Sequence, residues 1–186
     1  MLDLSIIDKT WTLFLDRDGV LNHEKKDDYI RSWNEFRFYD GVKEALKALN
    51  DVFGVIVLVT NQKGVGRGLM TLDDLSDLHS KMMEEIKAAG GRIDKLYFCT
   101  DLDSDSPCRK PNAGMADLAK KDFPQIDISR SIIVGNKLSD MKFGRNAGMF
   151  TAYVATTNPE VTAEEPLVDL RFNDLPEFAK AVAKKS

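Results

Sequence analysis

The chain has 186 residues, 43% of them hydrophobic, which suffices for one sizeable core and one domain over residues 1–186. Its 26 basic and 30 acidic residues give a net charge of -4, with no basic run to track a phosphate backbone, so nucleic acid is not an expected partner. No apolar stretch approaches the roughly 18 residues of a membrane span, and the N-terminus lacks a charged and then apolar leader, so a cytoplasmic protein without membrane contact is expected, with a monomer the favoured state.

The first predicted strand, residues 11–15, is short and apolar and ends in Asp16-Arg-Asp18-Gly19. Gly19 supplies the backbone freedom for a sharp exit, placing Asp16 and Asp18 together at the carboxyl edge of a strand. A polar, irregular segment follows over residues 23–39. Val42, Ala45, Leu46 and Leu49 then recur at helical spacing. Residues 54–60 form a continuous apolar run rich in β-branched side chains, which reads as a buried parallel strand.

Thr71 and Asp74 form a capping pattern ahead of Leu72, Leu75, Leu78, Met82 and Ile86, one helical face that ends at Gly90 and Gly91. Residues 95–100 read as a third strand, 115–121 as a short helix, 131–134 as a fourth strand, 138–146 as a helix and 149–154 as a fifth strand. The segment 167–172 predicts an edge strand, and Asp174 caps a last helix carrying Phe178 and Val182. Strand and helix alternate throughout, which predicts an α/β fold: a doubly wound, Rossmann-like parallel sheet with helices on both faces.

Chemically useful groups recur where successive strands end: Asp16 and Asp18, then Thr60 and Asn61, then Arg109 and Lys110, then Asn136 and Asp140. Parallel strands bring such ends into one crevice, and carboxylates, a hydroxyl, an amide and cations gathered there suit a phosphate group with a hard metal ion. Alone, a strand-ending Asp-x-Asp is as readily a turn or a cap. The glycines Gly64, Gly66 and Gly68 are spaced GxGxG rather than GxGxxG, which argues for a flexible phosphate-proximal loop rather than a dinucleotide site. His23 and His79 carry no assignment. Two cysteines, Cys99 and Cys108, are too few for a disulfide framework, and reduced thiols are expected.

In order along the chain, DRDGVLN, TNQKGVGRG, CRKP and GNKLSD resemble the four motifs of the haloacid dehalogenase superfamily, and most closely its small branch acting on heptose bisphosphates and histidinol phosphate. The resemblance spans about residues 13–150. It implies a Mg2+-dependent phosphatase in which Asp16 is the nucleophile that forms an aspartyl-phosphate and Asp18 the acid and base. It also implies Thr60, Asn61, Gln62, Arg109 and Lys110 as substrate-binding residues, and Asp16, Asp18 through its backbone carbonyl, Asn136 and Asp140 around the metal.

Two departures stand out against that pattern. The branch carries a zinc loop of Cys-x-His and Cys-x-Cys, but Asp101 and Ser106 occupy two of its positions here. Cys99 and Cys108 alone argue against zinc. Asp101, Asp103 and Asp105 imitate the start of a calcium loop without its glycine or terminal glutamate. The family's metal-binding aspartate is Asn136, which offers a neutral oxygen, and Asp140 four residues on is the expected compensation.

Only 44 positions separate Asp16 from Thr60, and 50 separate Thr60 from Lys110, leaving no room for a large cap domain. Selectivity then falls to residues 24–29, 62–67 and 101–109. The expected substrate is a small phosphorylated metabolite, first a sugar bisphosphate such as D-glycero-D-manno-heptose 1,7-bisphosphate, with histidinol phosphate second. Outside enzymes, a receiver-like phospho-acceptor domain or a binding protein disabled through Asn136 remain alternatives. Asp18 weighs against the acceptor, because an acid/base carboxylate favours release of the phosphate.

Overall fold

A computed structural model describes residues 2–183. Six parallel strands, β1 (Thr12–Leu15), β2 (Val55–Asn61), β3 (Lys95–Cys99), β4 (Ser131–Gly135), β5 (Phe150–Val154) and β6 (Leu170–Phe172), lie in the order β3-β2-β1-β4-β5-β6. The helices are α1 (Val42–Asn50), α2 (Lys63–Gly66), α3 (Leu72–Ala88), α4 (Gly114–Asp122), α5 (Leu138–Ala147) and α6 (Leu175–Ala183). Among the described residues, no helix is long and apolar enough to cross a membrane.

Alternation along β1 divides the core. Leu13 and Leu15 pack with Leu46, Leu49, Leu78, Met82 and Phe178, from α1, α3 and α6, on one face of the sheet. Phe14 packs with Met115, Ala119 and Phe143, from α4 and α5, on the other. Successive strand side chains point to opposite faces, so a strand covered on both sides must be apolar throughout, as the continuous runs of β1, β2 and β4 are.

The doubly wound sheet is as expected, and element boundaries shift by no more than a residue or two except for the edge strand expected over 167–172, which begins at Leu170. Thr71 caps α3 reciprocally: its Oγ1 accepts from the Asp74 N–H at 3.0 Å while Asp74 Oδ2 accepts from the Thr71 N–H at 2.8 Å. Asp174 accepts from the Glu177 N–H at the start of α6. Leu72, expected on the buried face of α3, is 56% exposed at the first helical position, before the apolar stripe turns inward.

The glycine-rich segment expected as a flexible loop contains a helical turn, α2, too short for a periodic signal. Gly66 is required there, because a Cβ would run into the Thr100 carbonyl. The cysteines also differ from expectation. Cys99, at the end of β3, and Cys108 are joined in a disulfide with their Cα atoms 5.5 Å apart, because residues 100–107 double back on the strand end. Asp101 and Ser106, the two departures from the expected zinc-loop pattern, hydrogen-bond each other.

Candidate active site

The chain runs β1, β2, β3 to one side and then β4, β5, β6 to the other, so the order reverses between β1 and β4, where parallel sheets open a crevice at their carboxyl ends. Asp16 leaves β1 here, its N–H bonded to the Val134 carbonyl of β4 at 3.0 Å. Gly19, at φ 85°, turns the chain, and a Cβ on it would collide with the Asn136 side chain, so the first and last motifs meet through a missing side chain. A cavity of about 680 Å³ opens over these ends, and Asp16, Asp18, Thr60, Arg109, Lys110 and Asp140 are among the residues lining it.

Lys110 is the hub. Its ammonium donates to Asp16 Oδ1 at 2.8 Å, Asp140 Oδ1 at 2.7 Å and the Val59 carbonyl at 2.9 Å, with the side chain only 2% exposed. Burial alone would lower its pKa, but the carboxylates of Asp140 and Asp16 outweigh that and raise it, so the lysine stays charged. Burial pushes the Asp16 carboxyl up to about 6; Lys110 opposes the shift and the Asp140 charge adds to it.

Asn61, expected on the substrate, instead clamps the lysine: its Oδ1 accepts from the Lys110 N–H and its Nδ2 donates to the Lys110 carbonyl, both at 3.0 Å. Asp140, expected near the metal, has both oxygens engaged. Oδ1 takes the ammonium, and Oδ2 takes the Lys137 N–H at 3.0 Å, at the start of α5. These two residues position Lys110.

Asp18 is held from several sides. Oδ1 accepts from Arg17 Nη2 at 2.9 Å, Arg17 Nε at 3.2 Å and Asn22 Nδ2 at 3.0 Å, and Oδ2 accepts from Gln62 Nε2 at 3.1 Å. Burial would raise this carboxyl, but the Arg17 guanidinium, with the bonds from Asn22 and Gln62, offsets burial and holds it below the usual carboxylate range. Gln62 also donates to Thr60 Oγ1 at 3.0 Å, tying the end of β2 to the turn after β1.

Asn136 is fully buried and its Nδ2 donates to Thr157 Oγ1 at 2.7 Å. Its Oδ1 is buried without a hydrogen-bond partner among the described residues, an arrangement that costs free energy unless something else satisfies it. With the Asp16 carboxylate and the turn bearing Asp18 alongside, the donors are oxygens, the set that a small hard cation such as Mg2+ takes.

At the rim, Lys63, Arg67 and Arg109 share the cavity. Burial lowers the pKa of Lys63, and the cations of Arg109 and Arg67 lower it further. Arg109 is anchored through Nη1 to the Asp101 carbonyl at 3.0 Å. Of the segments expected to govern selectivity, residues 24–29 line the cavity and Gln62, Lys63 and Arg67 do so from 62–67, whereas from 101–109 only Arg109 does.

Sequence reasoning overlooked Arg17 and named Glu24 only as the start of the 24–29 segment. Arg17 is 1% exposed despite its charge. Glu24 pairs with Lys137 at 2.6 Å across the cavity mouth. It left His79 unassigned, yet His79 lies four residues after Leu75 and three before Met82, on the buried stripe of α3, a spacing that could have marked it as enclosed.

A parallel sheet whose first strand carries Asp16 and Asp18 to the switch point, with Asp16 paired to a buried lysine, has the layout of a phosphatase of the haloacid dehalogenase type. The chain belongs to the polynucleotide kinase 3 phosphatase family, which it matches over residues 11–153. It is 36% identical over 173 residues to a D-glycero-alpha-D-manno-heptose-1,7-bisphosphate 7-phosphatase of Mycobacterium bovis, covering 92% of this chain and 91% of that one. A Campylobacter jejuni protein of the same name is 40% identical over 143 residues, 77% of this chain and 81% of its own. A Haemophilus ducreyi relative, named for the beta substrate, is 37% identical over 172 residues, 88% of this chain and 93% of its own. Among solved structures, D,D-heptose 1,7-bisphosphate phosphatase from B. bronchiseptica, complexed with magnesium and phosphate, superposes with a TM-score of 0.86 at 28% identity, covering 95% of this chain and 99% of that one.

Proposed function

We propose that this protein removes one phosphate from a D-glycero-D-manno-heptose 1,7-bisphosphate through an aspartyl-phosphate intermediate. The observation that carries the reading is the pairing, in one cavity, of the Asp16, Asp18 and Lys110 cluster with a separate cationic rim of Lys63, Arg67 and Arg109. One phosphoryl group meets the nucleophile, and the cations suit a second. Relatives named for the same sugar support it.

Lys110 occupies Asp16 Oδ1, which leaves Oδ2 to attack phosphorus. As the ester P–O bond breaks, Asp18 gives its proton to the departing sugar oxygen. It then takes a proton from the water that attacks the aspartyl-phosphate, returning Asp16 to a carboxylate. The Arg17 guanidinium favours the ionised form of Asp18, and the negative phosphoryl group of the substrate raises its proton affinity for the first of these steps. Lys110 and Thr60 orient the phosphoryl oxygens. Asp16, the Asp18 backbone carbonyl and Asn136 Oδ1 would hold Mg2+, which would supply charge neutralisation at the phosphoryl group.

Phosphate release from both anomers of heptose 1,7-bisphosphate, histidinol phosphate and simple sugar monophosphates, with and without Mg2+, tests the proposal. Mg2+-dependent turnover led by a heptose bisphosphate is expected. Equal rates on all compounds would reject the assigned substrate, and silence from folded protein would favour a disabled binder.

Three substitutions probe the parts separately. Arg67→Ala and Arg109→Ala are each expected to raise KM for the bisphosphate about tenfold while changing KM for a sugar monophosphate little, since only the former presents a second dianion. Asn136→Asp is expected to tighten Mg2+ binding about tenfold in calorimetry, because ligand charge sets affinity for hard cations. An unchanged affinity would remove Asn136 from the metal shell.

A further inference from the structure

The catalytic steps above use Asp18 but not the two groups stacked behind it. Arg17 is among the largest fully buried side chains of the protein, and His79, on α3, is 7% exposed. A buried guanidinium is tolerable only when its donors are matched. Arg17 sends Nε and Nη2 to Asp18 Oδ1 and places Nη1 3.0 Å from His79 Nε2.

Because arginine has no acceptor, Nη1 must donate and Nε2 must accept, which places the imidazole hydrogen on Nδ1 and keeps the ring neutral. The surroundings agree: burial, aided by the Arg17 cation, pushes the His79 pKa down to about 3. The ring is carried by a 17-residue helix with a reciprocal cap, and Leu75, Leu78 and Met82 fix the same face in the core. It is a stiff mount.

The two oxygens of Asp18 are loaded unequally. Oδ1 receives three donors, two from Arg17 and one from Asn22, which crowds its lone pairs. Oδ2 receives one, from Gln62. We infer that His79 is a positioning residue for phosphoryl transfer: through Arg17 it locks the Asp18 carboxyl so that Oδ2 is the oxygen that exchanges the proton with the leaving group. This inference rests on Asp18 being the general acid. Asn22 and Gln62 also hold the Asp18 carboxyl, but two of the three bonds to Oδ1 come from the Arg17 guanidinium, and His79 anchors that guanidinium from a different element.

The test compares two leaving groups on the same protein samples. A sugar phosphate expels an alkoxide that needs a proton, whereas p-nitrophenyl phosphate expels a stable phenolate that does not. The ratio of kcat/KM for heptose 1,7-bisphosphate to that for p-nitrophenyl phosphate reports the acid step and is independent of the fraction of protein folded.

His79→Leu, which cannot accept, and His79→Asn, whose shorter side chain falls short of Arg17, are each expected to lower this ratio about tenfold. His79→Gln, which carries an oxygen near the position of Nε2, is expected to restore it to within about twofold of wild type. A purely structural histidine would move both rates together and leave the ratio unchanged, which overturns the inference. Asp18→Asn, measured alongside, separates the two failures. If it lowers the ratio while the Leu and Asn variants of His79 do not, His79 alone loses its role. If Asp18→Asn lowers both substrates alike, the general-acid reading falls and takes the inference with it.

Discussion

Asp16→Asn is expected to reduce turnover of every phosphate ester by about 10⁴-fold or more while leaving the protein folded, because an amide oxygen cannot form the acyl-phosphate bond. The change is nearly isosteric, and the amide oxygen still accepts from Lys110, so the cluster around the ammonium survives. Its effect on stability has a defined sign. The folded-state pKa of Asp16 is raised from 3.8 to about 6, so the carboxylate burdens the metal-free fold increasingly as pH rises through that window. Relative to wild type, the variant is therefore expected to gain stability between pH 3.8 and about 6 and to hold that gain above it. Thermal unfolding in the presence of a chelator checks this, and phosphate release checks the chemistry. Residual turnover within tenfold of wild type would show that another group attacks phosphorus.

Lys110→Met combines a catalytic loss with a structural one. Removing the ammonium strips the phosphoryl group of its buried cation, a loss on the order of 10²–10³ in kcat. It also leaves Asp16 and Asp140 facing one another in a buried pocket without their shared partner. Breaking a buried ion pair from one side costs about 3–5 kcal/mol, and here two carboxylates lose the same cation. Chemical denaturation is expected to show the fall directly. Asp140→Asn provides the contrast, since it removes one charge and keeps an acceptor for Lys110, so its stability should lie between the two. Wild-type stability for Lys110→Met would mean that the ammonium is not the hub it is taken to be. Arginine is not a conservative replacement, because a guanidinium lacks the compact tetrahedral donor that three converging acceptors require.

The disulfide has a narrower consequence. It ties the end of β3 to residue 108, immediately before Arg109 and Lys110, and so helps set where those two cations stand. Residues 100–107 form the loop that this cross-link closes.

Much of the fold was legible in the sequence. The apolar runs of β1, β2 and β4 and the stripes of α1, α3 and α6 announce themselves because a strand covered on both faces must be apolar throughout and a half-covered helix must repeat near 3.6 residues. Asp16, Asp18, Thr60 and Lys110 were visible because parallel strands deliver their carboxyl ends to one crevice, so residues distant in the chain can be grouped by their place after a strand. The sequence by itself therefore determined the architecture, the crevice and the residues gathered in it.

Partnerships depended on the tertiary structure. Asn61 holds the Lys110 backbone, Asp140 holds its ammonium, and Cys99 meets Cys108, none of which follows from residue type, since hydrogen bonds and disulfides require angles and distances that only the folded chain supplies. The path from His79 through Arg17 to Asp18 is the clearest case. It crosses 62 positions from His79 to Arg17, and a buried arginine matched by a neutral histidine leaves no periodic trace, because its cost is met by one contact between two elements.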